Sequence, residues 1–360
     1  MVRSKFFQFF PPPQFLQMKA VGLDISDVSL RFVELIETKQ GMEIGRFGER
    51  AIPRGVIEGG EVKKPSDLRA ILSEVKKEYN LEFVAVSLPE EKAYLFDLRL
   101  PQTGKSNIRG AIELALEERV PLKASEALFD YQIEKESDTT MYVNVSVVPR
   151  ALIDGYLEAF SMSGIIPVAF EIEAQSVTRA IIPDEDNRAS MIVDFGRTRT
   201  GITIVEGGMV EFTSTVPVGG GALTEAIMKK MNISYDEAEK IKHEKGITSK
   251  EGNEDLSLAL VSAISVLRDE IAKLYAYWQK RDDTHDAKHM GINKIYLCGG
   301  DSNLAGFVEY LTTGLDISVD VGLANIFVNM NSLNNYVPTI SFSDSLSYAT
   351  AIGLALRCQQ

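Results

Sequence analysis

Ser190-Met-Ile-Val-Asp194-Phe-Gly196-Arg-Thr198-Arg-Thr200-Gly201-Ile-Thr-Ile-Val-Glu-Gly207-Gly208-Met-Val-Glu-Phe sets the architecture of this chain. An apolar run carries a lone Asp, breaks at Gly196 among hydroxyl residues, and resumes through Ile202 and Ile204 to a Gly207-Gly208 turn. That pattern reads as strand, tight turn, strand, turn, strand. Such a turn collects backbone N–H groups and threonine hydroxyls in one small space, which suits a phosphate, and an Asp at the strand end can hold a hydrated cation.

Far upstream, Ala20-Val-Gly-Leu-Asp24-Ile-Ser26-Asp-Val-Ser29-Leu-Arg-Phe-Val-Glu-Leu repeats the pattern. Two copies far apart point to two related lobes, one on each side of a cleft. A third element, Lys294-Ile-Tyr-Leu-Cys-Gly299-Gly300-Asp301-Ser302-Asn303-Leu304, reads as a buried strand ending at paired glycines before a helix. Bare backbone there leaves room for a flat base or an α-phosphate. Val218-Gly219-Gly220-Gly221 leads into another helix, where a ligand could approach the N–H groups closely. Each piece alone has a plainer reading, as a polar-turn hairpin, a turn or a strand-to-helix crossover. Their combination favours a nucleotide.

Composition sets the outer limits. With 51 Asp plus Glu against 38 Lys plus Arg, most of the surface is a poor match for nucleic acid. Cys298 and Cys358 show neither metal-ligand spacing nor a disulfide framework, which favours a reducing compartment. No segment has the apolar length of a membrane-spanning helix. Residues 1–18 form an N-terminal arm: Phe6, Phe7, Phe9 and Phe10 beside Arg3 and Lys5 could touch a membrane surface, but the apolar part is too short for a signal peptide. An arm packed on its own fold or a disordered extension is the plainer reading.

Between the hairpins, a third strand follows the first one, with Gly41 and Gly45 to Gly48 punctuating two short runs. A helix N-capped by Ser66 carries Leu68, Leu72 and Val75, and Phe83 to Leu88 reads as a buried strand. A helix from Ile108 to Leu116, strands at Phe129–Glu134 and Met141–Val148, and a helix through Leu152 and Phe160 make a compact insert at about 96–164. A strand at Ile165 to Ala169 and a helix from about Glu173 to Ile181 complete residues 19–188 as the first lobe. Residues 189–345 form the second lobe, and 346–360 a C-terminal helix returning to the first. Ser234-Tyr-Asp-Glu237 has the capping-box form. Leu260, Ile264, Leu267, Ile271, Leu274 and Trp278 mark one face of a long helix buried against its own lobe. His285 and His289 lack a third ligand and read as a solvated loop.

With both Asp hairpins and the Gly-Gly element in this order, the chain resembles the actin, chaperone and sugar-kinase superfamily. The resemblance implies an α/β chain with a two-lobed actin-like ATPase fold. The insert resembles the subdomain in the first lobe of FtsA and its relatives. The nearest likeness, over roughly Lys19 to Arg357, is to the PilM family of type IV pilus assembly. It is carried also by Gly219-Gly220-Gly221, Ala238-Glu239-Lys240-Ile241-Lys242, Cys298-Gly299-Gly300 and Ala351-Ile-Gly-Leu-Ala-Leu-Arg357.

The resemblance implies ATP and Mg²⁺ as cofactors. Asp24 and Asp194 would face Mg²⁺ through water, while Ser26, Gly196, Thr198 and Thr200 line the phosphates. Gly219 and Gly220 would be further contacts, Glu239 and Lys242 would approach the ribose and base, and Gly299, Gly300 and Ser302 would close the other side. Glu173 matches the position of a carboxylate near the attacking water in chaperone relatives, though an acid at a helix start has an equally good electrostatic reason to be there. Ser26 stands where many relatives have glycine, and Arg197 and Arg199 add bulk to the second turn.

The family further implies a cytoplasmic scaffold peripheral to the inner membrane, in the pilus assembly complex, with the cytoplasmic N-terminal peptide of PilN as partner in a groove of the first lobe. No groove residues can be read from the sequence. Two alternatives share the fold: an FtsA-like actin homologue forming filaments at the membrane, and a small-molecule kinase. Against the first, no linker and amphipathic helix is read after Leu356-Arg357-Cys358-Gln359-Gln360, and against the second, no stretch specifies an acceptor pocket.

Overall fold

The computed structural model describes residues 19–39, 41–101, 107–137, 139–247, 254–280, 290–315, 319–330 and 337–359. The N-terminal arm, His285 and His289 lie outside the described residues. No described helix is long and apolar enough to cross a membrane.

Period-two alternation forms β1 (Val21–Ile25), β2 (Ser29–Thr38) and β3 (Gly41–Ala51) as an antiparallel meander. β3 is one continuous strand where two short runs were expected. A Cβ at Gly45 or Gly48 would crowd Ile36 or Phe32 on β2, so these glycines admit neighbouring side chains rather than break the ladder. A two-residue hairpin, β4 (Ile57–Glu58) and β5 (Glu61–Val62), precedes α1 (Pro65–Tyr79). Lys64, not Ser66, is the N-cap: Pro65 takes the first helical position, where its missing N–H costs nothing.

β6 (Phe83–Leu88) then pairs parallel to β1. β7 (Tyr94–Pro101) was not anticipated from sequence. With β8 (Ala127–Glu136) and β9 (Thr140–Pro149) it forms a three-stranded sheet in the order β7-β9-β8. That sheet shares a small core with Ile108, Ile112 and Leu116 of α2 (Ile108–Arg119).

The next helix, α3 (Arg150–Phe160), packs elsewhere. Its Leu152, Ile153, Tyr156 and Phe160 join Leu68, Leu72 and Val75 of α1 in the first core, although the sequence grouped this helix with the insert. β10 (Ile166–Ile172) and α4 (Glu173–Ile181) complete this part, giving the sheet order β10-β6-β1-β2-β3.

The second half repeats the plan. β11 (Ser190–Phe195), β12 (Thr200–Glu206) and β13 (Met209–Val216) form an antiparallel meander, followed by α5 (Gly220–Met231), α6 (Tyr235–Lys245) and α7 (Glu254–Gln279). The capping box at Ser234 and Glu237 is present. Leu260 through Trp278 of α7 lie in the second core, as their spacing predicts. β14 (Lys294–Cys298), α8 (Phe307–Gly314) and β15 (Asp320–Leu323) follow, with sheet order β13-β12-β11-β14-β15. In both sheets the central strand begins an antiparallel meander on one side and is followed by two parallel strands on the other.

After α9 (Phe342–Ser345), α10 (Ala349–Arg357) binds the halves together. A Cβ at Gly22 would strike the Ala351 carbonyl, and one at Gly353 the Ser176 carbonyl, so α10 lies backbone-close to both β1 and α4. Its Ile352, Ala355 and Leu356 share one core with Val33 and Leu35 from the first sheet and Ile192 and Val205 from the second. This common layer sets the two sheets side by side, with the Asp ends of β1 and β11 opening on the same cleft.

Candidate functional site

Asp24 and Asp194 are each the penultimate residue of their strands, and both line a cavity of about 590 Å³. Asp24 accepts a hydrogen bond from Ser87 Oγ at 2.8 Å, and Ser87 Oγ in turn accepts from the Ile25 N–H at 3.0 Å. Burial nevertheless pushes the Asp24 carboxyl up, against that bond and the charges of Arg31 and Arg199. Burial and the nearby Asp24 raise Asp194 to about 6. Burial and Asp194 raise Glu90 to about 8, and burial likewise raises Glu173 despite Arg199. Burial holds four carboxyls above their ordinary range, and the charges of neighbouring carboxyls and of Arg199, with Arg31 at the two Asp, only partly modify it. A hydrated divalent cation between Asp24 and Asp194 fits two carboxyls that face one cavity and are disfavoured as bare anions by burial. Among the described residues, no group of three His, Cys, Asp or Glu side chains closes into a direct coordination site.

The two turns are built differently. In the first, Ser26 Oγ donates to the Ser29 carbonyl at 3.0 Å and accepts from the Ser29 N–H at 3.1 Å. In the second, the Gly196 N–H donates to the Arg199 carbonyl at 3.1 Å. The Gly220 and Gly221 N–H groups then donate back to the Gly196 and Arg197 carbonyls, at 3.0 and 2.9 Å. The glycine run thus buttresses the turn from behind. A Cβ at Gly219 would meet the Arg197 carbonyl, and one at Gly220 the Asp301 carboxylate.

The structure therefore sorts the residues singled out by sequence. Asp24, Ser26, Glu173, Asp194, Gly196, Thr198, Glu239, Gly299 and Gly300 all line the cavity. Gly219 and Gly220 do not, for the reason just given. Thr200 is buried and donates to the Val218 carbonyl at 2.6 Å, and Ser302 is buried and donates to the Cys298 carbonyl. Lys242 is wholly buried with its Nζ 2.5 Å from Asp301 and 3.0 Å from Glu239. It is a structural cation that holds Glu239 in place, not a wall of the cavity. Burial works against the ionised form of Glu239, but Thr224, Lys242 and Arg197 outweigh it and hold the carboxyl at about 2.

Sequence reasoning passed over Arg31, Glu90, Asp301, His243 and Asn303, which also line the cavity. Arg31 lies opposite Asp24 in the hairpin register, a position that the alternation of the first hairpin could have supplied. Glu90 gave no signal, since a lone acid after Pro89 looks like any turn residue. It lies beside Gly201, where a Cβ would collide with its carboxylate. Gly299, with φ of 89°, passes so close to Asp194 that a side chain there would strike the carboxylate.

A second cavity of about 800 Å³ lies between β8 and β10, lined by Leu128, Tyr131, Ile133, Phe170, Gln175 and Arg179 among others. Among the described residues β8 pairs only with β9, and β10 only with β6, so each keeps one open edge. Tyr131 and Ile133 are exposed apolar side chains on the β8 side.

Known proteins share this outline. The solved structure of a PilM-PilN type IV pilus biogenesis complex superposes with a TM-score of 0.78 at 20% identity, covering 96% of this chain and 99% of that one. MreB 5 of Spiroplasma citri bound to AMPPNP superposes with a TM-score of 0.53 at 12% identity, over 87% of this chain and 93% of that one. These likenesses make the fold that of the actin-like ATPases. The cell division protein FtsA of Neisseria meningitidis serogroup B is 29% identical over 189 residues, 48% of this chain and 43% of that protein. The chain spans less than half the length of the curated FtsA relatives it matches. Residues 22–359 match the family described as type IV pilus assembly protein PilM, and the chain belongs to that family.

Proposed function

We propose that this chain is a nucleotide-binding scaffold of type IV pilus assembly whose cleft takes Mg-ATP. The observation that carries the reading is the meeting of two Asp-bearing hairpins on one cavity, with both carboxyls buried and raised above their ordinary range. Asp24 and Asp194 would hold the hydrated Mg²⁺, and Ser26, Gly196 and Thr198 the phosphates. Glu239 faces the ribose side and Gly299-Gly300 the base. Bound Mg²⁺ supplies positive charge that the cavity lacks. Glu173 lies where a carboxylate could orient a water, and slow hydrolysis would follow from that placement. Arg199 holds Glu173 at 3.3 Å in this arrangement.

The partner we propose is the cytoplasmic N-terminal peptide of the membrane protein PilN, seated in the groove between β8 and β10. Two open strand edges and an apolar floor suit an extended peptide. The pairing of PilM with PilN in the structurally similar complex supports this choice. Through that partner the chain would be a cytoplasmic component beside the inner membrane. For nucleotide to act as a switch, it must bind two arrangements of the cleft with different affinity.

Calorimetric titration with ATP and Mg²⁺, beside Asp194→Ala, tests the cleft. Binding by the parent and at least about tenfold weaker binding by Asp194→Ala are expected, about 1.4 kcal/mol. Equal binding by both, or none by either, sinks the nucleotide reading. The same titration with the PilN peptide, with and without nucleotide, tests the switch.

A further inference from the structure

Arg199 belongs to the turn of the β11–β12 hairpin, yet each of its ion-pair partners lies on the other side of the cleft. Its Nη1 is 3.6 Å from Asp27 in the first hairpin's turn and 3.5 Å from Glu91 in the turn after β6. Its Nη2 is 3.3 Å from Glu173 at the start of α4. The guanidinium is nearly enclosed, with 14% of the side chain exposed. Asp27 is itself fixed, accepting from the Gly59 and Gly60 N–H groups at 3.1 and 2.9 Å. Three separate segments of the first half thus converge on one cation from the second.

Two other arginines show what is unusual here. Arg179 grips Glu171 in a fork at 2.6 and 2.8 Å, with both residues in the first half, which is the geometry of a permanent clamp. Arg197, two residues from Arg199, stays on its own side with Glu239 and Tyr235. Arg199 has three contacts, each longer than a close charge-assisted hydrogen bond, and none is a fork. No single carboxylate holds the guanidinium in a fork, so a polyphosphate in the cavity that Arg199 already lines can compete for it, while Asp27 keeps the Gly59 and Gly60 N–H groups.

We infer that Arg199 is a cross-cleft latch: without ligand it ties the second hairpin to Asp27, Glu91 and Glu173, and a polyphosphate in the cavity draws it away and frees the two halves to shift. The release step rests on the nucleotide reading above; the tie does not. Arg199 therefore links phosphate occupancy to the arrangement of the halves, and through β10 and α4 to the groove beside them.

The test uses the full chain in a Cys358→Ser background, with spin labels at Glu74→Cys on α1 and Lys229→Cys on α5, both exposed positions. Without ligand, the parent should give one narrow interlabel distance. Arg199→Gln and Glu91→Gln should each broaden it, while Arg197→Gln should not. Identical distributions in the parent, Arg199→Gln and Glu91→Gln overturn the latch. ATP affinity gives a second readout. Glu91→Gln should tighten Mg-ATP binding about tenfold when Arg199 is present and less than about twofold in the Arg199→Gln background. An equal gain in both backgrounds would reflect bulk charge alone and would overturn the release step. If no variant binds ATP, the nucleotide reading and the release step both fall, while the ligand-free distances still decide the tie.

Discussion

The Asp24 and Asp194 hairpins hold the same place in their sheets, but the helix behind them treats them unequally. Two residues before Asp24 stands Gly22, pressed by the Ala351 carbonyl of α10; two residues before Asp194 stands Ile192, whose side chain fills the shared core. The Asp strand of the first hairpin is thus met backbone against backbone, whereas that of the second, like β2, meets the shared layer through side chains. The turns diverge as well, since the first closes on its own serines while the second is braced by α5 and sends Arg199 across the cleft. Shared topology places the two carboxylates, and local packing decides which half can yield.

Exchanging the two strand positions challenges this asymmetry most severely. Gly22→Ile copies the second hairpin into the first and drives a branched side chain into α10. A loss of more than about 3 kcal/mol in denaturant unfolding is expected, enough to prevent folding in a chain of ordinary stability. A loss under about 1 kcal/mol would mean that α10 does not rest on β1.

What the sequence revealed and what it hid follow the same division. Both Asp hairpins, the capping box of α6 and the buried face of α7 were legible because period and turn chemistry are local. The inner roles were hidden because they depend on partners distant in the chain. Lys242 looked like a ligand until Asp301, fifty-nine residues on, was found to neutralise it in the core. The Gly219–Gly221 run looked like an open anion site, but the Gly220 and Gly221 N–H groups are taken by the turn that it braces. β7 was legible but passed over, since Phe96, Leu98 and Leu100 alternate with Asp97 and Arg99 and face the small core of the insert, and α3 was misplaced because periodicity shows that a helix has an apolar face without showing what that face meets. Arg199 read as mere bulk in a phosphate turn, since no pattern in its own half points to three acids in the other.

The raised carboxyls give the next effect. Glu90 and Asp194 have folded-state values near 8 and 6, above their ordinary 4.5 and 3.8, so the folded chain binds more protons than the unfolded one between those limits. Stability without ligand should therefore fall as pH rises from about 5 to 8, by on the order of 5 kcal/mol, and level off above Glu90's value. Glu61 and Glu239, held near 2, act in the opposite sense, but their contribution is complete by about pH 5. Glu90→Gln should remove most of the decline, including nearly all of it above about pH 6, and leave the smaller part below that due to Asp194. Denaturant midpoints at several pH values read this directly. A flat profile in the parent would show that burial does not disfavour these carboxylates, removing that support for a cation.

The smallest expected effect concerns the first turn itself. Ser26 occupies a place where the family resemblance favours glycine, yet its backbone is not among the positive-φ residues, so no left-handed conformation requires glycine there. What Ser26 adds is its hydroxyl, which both donates to and accepts from Ser29 and keeps those backbone groups satisfied at the cavity wall. Ser26→Gly removes that pair and loosens the backbone, for a loss of about 1 kcal/mol. The reciprocal change, Gly196→Ser, meets a different constraint, because a Cβ there would lie 3.0 Å from the Arg199 carbonyl. If Ser26→Gly leaves stability unchanged while Gly196→Ser lowers it, the second turn alone is shaped by its own backbone. Equal losses would instead show that the turns share one tolerance, and the asymmetry of the cleft would then rest on Arg199 and α10 rather than on the hairpins.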